Sequence, residues 1–383
     1  MKAEFIYGAS NINADMLYAC GFFASDPFVY FSVKNKKYIV VSELEYDRAK
    51  MESHSEVTVL KSDNFFLTGE KNKNTERLLA AIMKKFQISS FTVPENFPLG
   101  LAQKLENAKI PVDVKYTSPA PFFHSRAVKT KQEIDACSNG LATAEKAMQK
   151  VYSILSASTV ENNGNLVFDG SHLTSEILKT AIGYEILKNG GIAEHTIVAC
   201  GKDSAQPHNT GKGILKANTT IVVDIFPRIT DPVSEKILKG YWGDITRTFV
   251  KGKACKKIKN MYNAVKEARD RCQEMIRPGI KCGDVYNLAC EILKSQGFTT
   301  GEGKNGSYGF FHGLGHGVGL EIHEFPSLSP RNADIILEEG HIITVEPGLY
   351  YPEIGGIRLE NMGVVEANSF RPFNTFPDIL EIS

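Results

Sequence analysis

A mixed fold of helices and strands in two parts is predicted for this chain, a small α/β unit over residues 1–123 and a larger unit over 124–383. Three observations predict it. The length of 383 residues suits two domains at roughly 100–200 residues each. Short apolar runs alternate with helical periodicities along the chain. Between the parts, Thr117-Ser-Pro-Ala-Pro-Phe-Phe breaks that periodicity with two prolines and reads as a linker.

The elements follow in order. Apolar stretches at 28–33 and 38–41 flank Lys34-Asn35-Lys36-Lys37, which predicts a β-hairpin. A strand at 57–60, a helix near 76–86, a strand near 91–93 and a helix near 99–108 complete the first part. The second opens on Thr130-Lys131-Gln132-Glu133, a capping box ahead of Ile134, Cys137, Leu141 and Ala144 at helical spacing. A helix fits 173–187 and stops at Asn189-Gly190-Gly191. Beyond it, β segments at 196–199, 220–225, 341–345 and 357–365 alternate with helices near 256–274 and 283–295.

Composition excludes several function classes. With 44 basic and 44 acidic residues the net charge is zero, so the basic field that nucleic acid requires is missing. No apolar run approaches the ~20 residues that span a bilayer, and the start, Met-Lys-Ala-Glu-Phe-Ile-Tyr-Gly, carries no apolar leader. A cytoplasmic enzyme or binding protein is expected. The seven cysteines form no Cys-x-x-Cys pair and read as reduced, mostly buried thiols.

Gly301-Glu-Gly-Lys-Asn-Gly306 spells a dinucleotide-binding fingerprint, but neither a strand before it nor a helix after it is predicted, so it reads as a loop. The histidines are more informative. Three of the nine fall at His312, His316 and His323, interleaved with glycines 313, 315, 317 and 319. Four glycines weaken regular structure and suit a backbone that passes close to a ligand or ion. His323-Glu324 is followed by Phe-Pro-Ser, so the helical zinc spacing H-E-x-x-H fails.

Carboxylates inside apolar strands are the second signal. Asp224 ends Thr219-Thr-Ile-Val-Val-Asp, Asp244 lies in Gly243-Asp-Ile-Thr-Arg-Thr-Phe, Glu346 ends Ile342-Ile-Thr-Val-Glu, and Glu360 follows Gly356-Ile-Arg-Leu. A buried carboxylate persists by pairing with a cation or by ligating a metal. Four of them with a histidine offer the oxygen-rich ligation that two hard or borderline divalent ions need.

As an ordered set, these motifs resemble the pita-bread metallopeptidases, and among them the Xaa-Pro aminopeptidases (aminopeptidase P) and prolidases. The resemblance covers the whole chain. It implies an α+β architecture, with a creatinase-like N-terminal α/β domain at 1–123 and a pita-bread catalytic domain at 124–383, in which curved antiparallel sheet packs against helices. It further implies five metal ligands, Asp224, Asp244, His316, Glu346 and Glu360, with Asp244 and Glu360 bridging two ions. Mn²⁺ is the first choice of metal, with Co²⁺, Zn²⁺ or Fe²⁺ as alternatives. Glu346 would also accept and shuttle the proton, and His312 and His323 would line the scissile bond. His208 would lie near the substrate carbonyl and leaving group, and Arg358 would pair with the carboxylates or the substrate. The implied partner is a peptide with proline in second position, with neither nucleic acid nor membrane, and relatives commonly form homodimers.

The chain departs from the family between its aspartates, which stand 20 residues apart where the family holds them closer. An insertion around 231–240 is expected, and Asp231 competes with Asp244 as second ligand, although Gly243-Asp-Ile-Thr-Arg-Thr favours Asp244. The expected activity is metal-dependent exopeptidase cleavage of the Xaa-Pro bond. The alternatives are a prolidase restricted to dipeptides and a metal-free creatinase-like C–N hydrolase, the latter disfavoured by the intact ligand set.

Overall fold

A computed structural model describes residues 1–67, 73–234, 236–304 and 306–383. It divides into two units, Met1–Arg126 and Ala127–Ser383. In the first, strands Phe28–Val33 and Lys36–Val41 form the expected hairpin, tighter than its four-residue signal. Only Lys34 and Asn35 make the turn, with φ of 50° and 59°, the hand that matches strand twist. These strands join Lys2–Gly8, Val57–Lys61, Ser90–Pro94 and Val112–Lys115 in a six-stranded mixed sheet.

Both faces of that sheet are covered. Phe5, Val29, Phe31 and Val40 pack against Leu79 and Ile82 of helix Thr75–Phe86 and against Leu101 and Leu105 of helix Leu99–Asn107. Ile6, Tyr30, Ile39 and Val41 point the other way, onto Met16 and Ala19 of helix Ala14–Cys20 and Ala49 of helix Glu43–Glu52. The central strand Phe28–Val33 therefore reads as a nearly continuous apolar run rather than as alternation.

The second unit opens with helix Lys131–Ala157, and the capping box is formed: Glu133 N–H donates to Thr130 Oγ1, and Thr130 N–H donates to Glu133 Oε2 at 2.8 Å. Helices Ser175–Lys188, Lys256–Met275 and Cys282–Ser295 follow near their expected positions. One sheet runs Ile197–Cys200, Ile221–Ile225, Ile245–Lys251 and Glu381–Ile382. A second, antiparallel throughout, orders Glu324–Leu328, Gly315–Gly317, Ile342–Val345, Asn361–Glu366 and Ser369–Pro372.

Two expectations are corrected here. The single strand at 357–365 is two, Gly355–Arg358 and Asn361–Glu366, belonging to different sheets. The break falls at Leu359-Glu360, where Arg247 draws in the Glu360 carbonyl and turns the backbone. Around 301–308 the chain forms a short β-hairpin, Gly301–Gly303 against Gly306–Tyr308, rather than an open loop; Asn305 lies outside the described residues, as does Glu235 of the insertion. No helix among the described residues is long and apolar enough to cross a membrane.

Helix Lys256–Met275 is tied to the C-terminal segment by Arg269, whose guanidinium donates to both oxygens of Asp378 at 2.8 and 2.7 Å. Burial would raise the Asp378 carboxyl, but the Arg269 hydrogen bonds and charge override it and hold it down to about 2. A depressed folded value means that this contribution is complete above about pH 4 and fades as pH falls towards about 2. Asp378→Asn is therefore expected to lower the unfolding free energy by about 2 kcal/mol at neutral pH. Denaturant titrations should show the gap to wild type narrowing by about pH 3. An equal gap at both pH values would assign the loss to packing.

Candidate metal centre

Two adjacent antiparallel strands supply the aspartates. Asp224 stands in Ile221–Ile225 opposite Thr246, and Asp244 directly precedes Ile245–Lys251. The long gap between them is a lengthened hairpin: Pro227–Ile229 pairs with Gly191–Ala193, Ile229 and Tyr241 are joined across it, and Arg228 bridges to Trp242. The two aspartates thus return to neighbouring positions despite the insertion. Asp231 sits exposed at the hairpin's far end, its N–H donating to Gly190 O.

The glycine-rich run forms strand Gly315–Gly317, with a register shift after His316. A Cβ at Gly315 or Gly317 would collide with the backbone of the flanking strands, which explains the glycines. His316 donates from Nδ1 to Gly317 O at 3.1 Å, which leaves Nε2 facing Glu346 Oε1 at 3.1 Å and Asp244 Oδ2 at 3.7 Å. That tautomer suits a ligand. Glu346 follows strand Ile342–Val345 and also accepts from Thr344 Oγ1. Glu360 accepts from Thr246 Oγ1 at 2.9 Å, and its N–H donates to Thr246 O. Ligand atoms of Asp244, His316 and Glu360 all lie within 4.8 Å of one another.

The electrostatics of this cluster are unfavourable on its own. Burial first, then repulsion from Glu360, raises the Asp244 carboxyl well above its ordinary range. Burial and Glu346 raise Glu360, and burial raises Asp224 despite the charge of Arg358. Glu346 escapes because its hydrogen bond to His316 outweighs burial and holds it low, while the same bond raises His316. Asp224 Oδ1, Asp244 Oδ1 and Glu360 Oε1 are buried without a hydrogen-bond partner among the described residues. Asp244 and Glu360, each with an orphaned carboxylate oxygen, gather with the His316 imidazole into a donor set for hard or borderline divalent cations, so these residues fit a metal; Asp224, paired with Arg358, and Glu346, paired with His316, adjoin that group without being part of it.

The remaining expected residues surround this cluster. Arg358, 3% exposed, donates to Asp224 Oδ2 at 2.7 Å, to Tyr350 Oη at 2.9 Å and to Pro207 O at 3.2 Å. His312 donates from Nδ1 to Gly313 O, and its Nε2 accepts from Tyr350 O–H at 3.0 Å, so both ring nitrogens are engaged. The His323 ring lies edge-on to His316, 4.4 Å between centroids. Burial lowers both His312 and His323 to about 4, and His208 is near enough for its charge to act on each.

Sequence reasoning passed over Tyr350, Thr246, Thr344 and Arg247. Arg247, fully buried, binds the Glu360 carbonyl and reaches Asn361 Oδ1 at 3.1 Å and Phe376 O at 3.0 Å. Its only sequence signal was a charged residue alternating with threonines in an apolar strand, Thr246-Arg-Thr.

The sequence matches Metallopeptidase family M24 over residues 137–367. It is 31% identical to an Xaa-Pro dipeptidase of Pyrococcus furiosus over 334 residues, spanning 86% of this chain and 82% of that protein. The fold is similar to that of an X-Pro aminopeptidase from Thermotoga maritima, with a TM-score of 0.81 at 23% identity over 100% of this chain and 98% of that one. It is also similar to that of the prolidase from Pyrococcus furiosus, with a TM-score of 0.75 at 24% identity over 98% and 96%. The two-domain pita-bread architecture expected from the sequence is the one this chain shares with those structures.

Proposed function

Because the chain belongs to metallopeptidase family M24, we propose that it is a metal-dependent exopeptidase that hydrolyses the bond between an N-terminal residue and a proline in second position. The observation that carries this reading is the grouping of His316 with the buried Asp244 and Glu360, each of which keeps a carboxylate oxygen without a hydrogen-bond partner among the described residues. Asp224, Asp244, His316, Glu346 and Glu360 would hold two divalent ions, with Mn²⁺ the first candidate for so oxygen-rich a set. Bound there, such ions supply Lewis acidity and a water acidic enough to act as nucleophile near neutral pH.

The chain's own groups do the rest. Arg358 fixes the Asp224 carboxylate through a buried ion pair, and Thr246 fixes that of Glu360. Glu346 takes the proton released on attack and passes it to the leaving imino nitrogen. His323, kept neutral by burial, offers a ring N–H to the carbonyl oxygen as charge builds there, and His208 is near enough for its charge to act on His323. His312, with both nitrogens engaged, acts through Tyr350 by orienting its hydroxyl. A second reading, restriction to dipeptides, is favoured by the name of the relative that is 31% identical, an Xaa-Pro dipeptidase.

Hydrolysis of Xaa-Pro and Xaa-Pro-Xaa-Xaa peptides after chelation, and again after adding Mn²⁺, tests both. Activity is expected to be lost on chelation and to return with metal. Release of the first residue from the longer peptide would support an aminopeptidase of the P type, and cleavage of the dipeptide alone a prolidase. No cleavage of either peptide by protein with metal bound would refute the substrate class.

A further inference from the structure

The chain holds one tryptophan, Trp242, two residues before Asp244 and 9% exposed. Its position is unusual in what it spans. The Trp242 main-chain N–H donates to Gly319 O at 2.9 Å, and its indole Nε1–H donates to Leu320 O at 3.1 Å. Both acceptors lie in the irregular stretch 319–323, which leaves strand Gly315–Gly317 and ends on His323. The other side of that turn is held as well: Glu324, in a buried ion pair with Lys129, accepts from Glu321 N–H. Arg228 lies over the indole, 5.9 Å from the ring centroid. The turn is closed at its base by the pairing of Gly317 with Glu324 and has Gly319 N–H to Glu321 O within it, but no helix or strand across 319–323, so the geometry of its middle depends on such outside ties.

We propose that Trp242 is a positioning residue that locks the His323-bearing turn to the strand of Asp244 through the indole N–H. The proposal rests on the reading of His323 given above. Acting through His323 rather than on substrate or metal, Trp242 holds that histidine in register with Asp224 and Asp244, which lie on a different sheet. The inserted hairpin thereby has a mechanical purpose, since its return segment delivers both the Asp244 ligand and the clamp on the opposite side of the site.

The test uses the full-length, Mn²⁺-loaded protein with Trp242→Phe, which keeps an apolar ring and removes the donor. A second form replaces tryptophan biosynthetically with benzothienylalanine, a shape-matched analogue lacking the N–H. Because the chain has a single tryptophan, only position 242 changes. Expected are unchanged metal content, hydrogen exchange of the 319–324 segment faster by about tenfold, and a kcat about fivefold lower with KM little altered, the scale of one lost buried hydrogen bond. In a His323→Ala background the same replacement should slow residual turnover no further, since Trp242 works through His323. Unaltered exchange at 319–324, a loss confined to KM, or full additivity with His323→Ala would each overturn the proposal. If Trp242→Phe does not fold, the analogue decides. If the wild type cleaves no Xaa-Pro peptide, the functional reading fails, while the exchange measurement still decides the clamp.

Discussion

Asp244→Asn should reduce Xaa-Pro hydrolysis by a factor of about 10³ or more while making the metal-free protein more stable. The two effects have one cause. In the folded chain Asp244 is 4% exposed, its Oδ1 has no hydrogen-bond partner among the described residues, and Glu360, Asp224 and Glu346 all repel it. An amide of the same shape removes a carboxyl whose ionisation burial and those neighbours oppose, and offers N–H donors to the neighbouring carboxylates. Relief of like-charge repulsion and desolvation should raise the unfolding free energy in chelator by about 1–3 kcal/mol. The same change removes a proposed anionic ligand, so the metal content of the purified variant should fall. Metal analysis, thermal melts in chelator and peptide assays read the three effects separately. Wild-type turnover with full metal content would remove Asp244 from the site.

Gly243→Ala should have an effect of similar size by a steric route. Gly243 and Gly140 place two backbones in direct contact, the hairpin's return segment and helix Lys131–Ala157. A Cβ on Gly140 would stand 2.6 Å from Gly243 N, and a Cβ on Gly243 would overlap the Gly140 and Leu141 backbone. Backbone cannot rotate aside as a side chain would, so helix and strand must part. The expected cost is about 3 kcal/mol or more of stability, with impaired metal uptake because Asp244 is the next residue. Gly100→Ala, where an added Cβ meets nothing within 4 Å, serves as the control. If Gly243→Ala melts and binds metal as the wild type does, the contact does not set the position of Asp244.

Local chemistry was legible along the chain. The capping box at Thr130–Glu133 needs only residues three apart, and the Lys34-Asn35 turn needs only a left-handed pair between apolar runs. The carboxylates and histidines announced themselves because an ionisable residue in an apolar strand, or a histidine among glycines, carries a cost that local structure cannot explain. Tyr350 did not. Tyrosine is common in strands, and nothing nearby in sequence shows that its hydroxyl accepts from Arg358 and donates to His312. Arg247 was hidden for the same reason, since its partners at Glu360, Asn361 and Phe376 lie more than a hundred residues away.

The sequence by itself determined which residue types could bind a metal and the order in which they occur, because charge and burial propensity are properties of each residue and its neighbours. The tertiary structure alone decided which of them meet. Asp224 and Asp244 are brought back together by strand pairing across the lengthened hairpin, which leaves Asp231 exposed at its far end. Glu360 faces inward because Arg247 and Thr246 hold the break between two strands that the sequence shows as one. Such contacts depend on register and on chain closure over long separations, and a shift of one residue would turn each carboxylate to the opposite face.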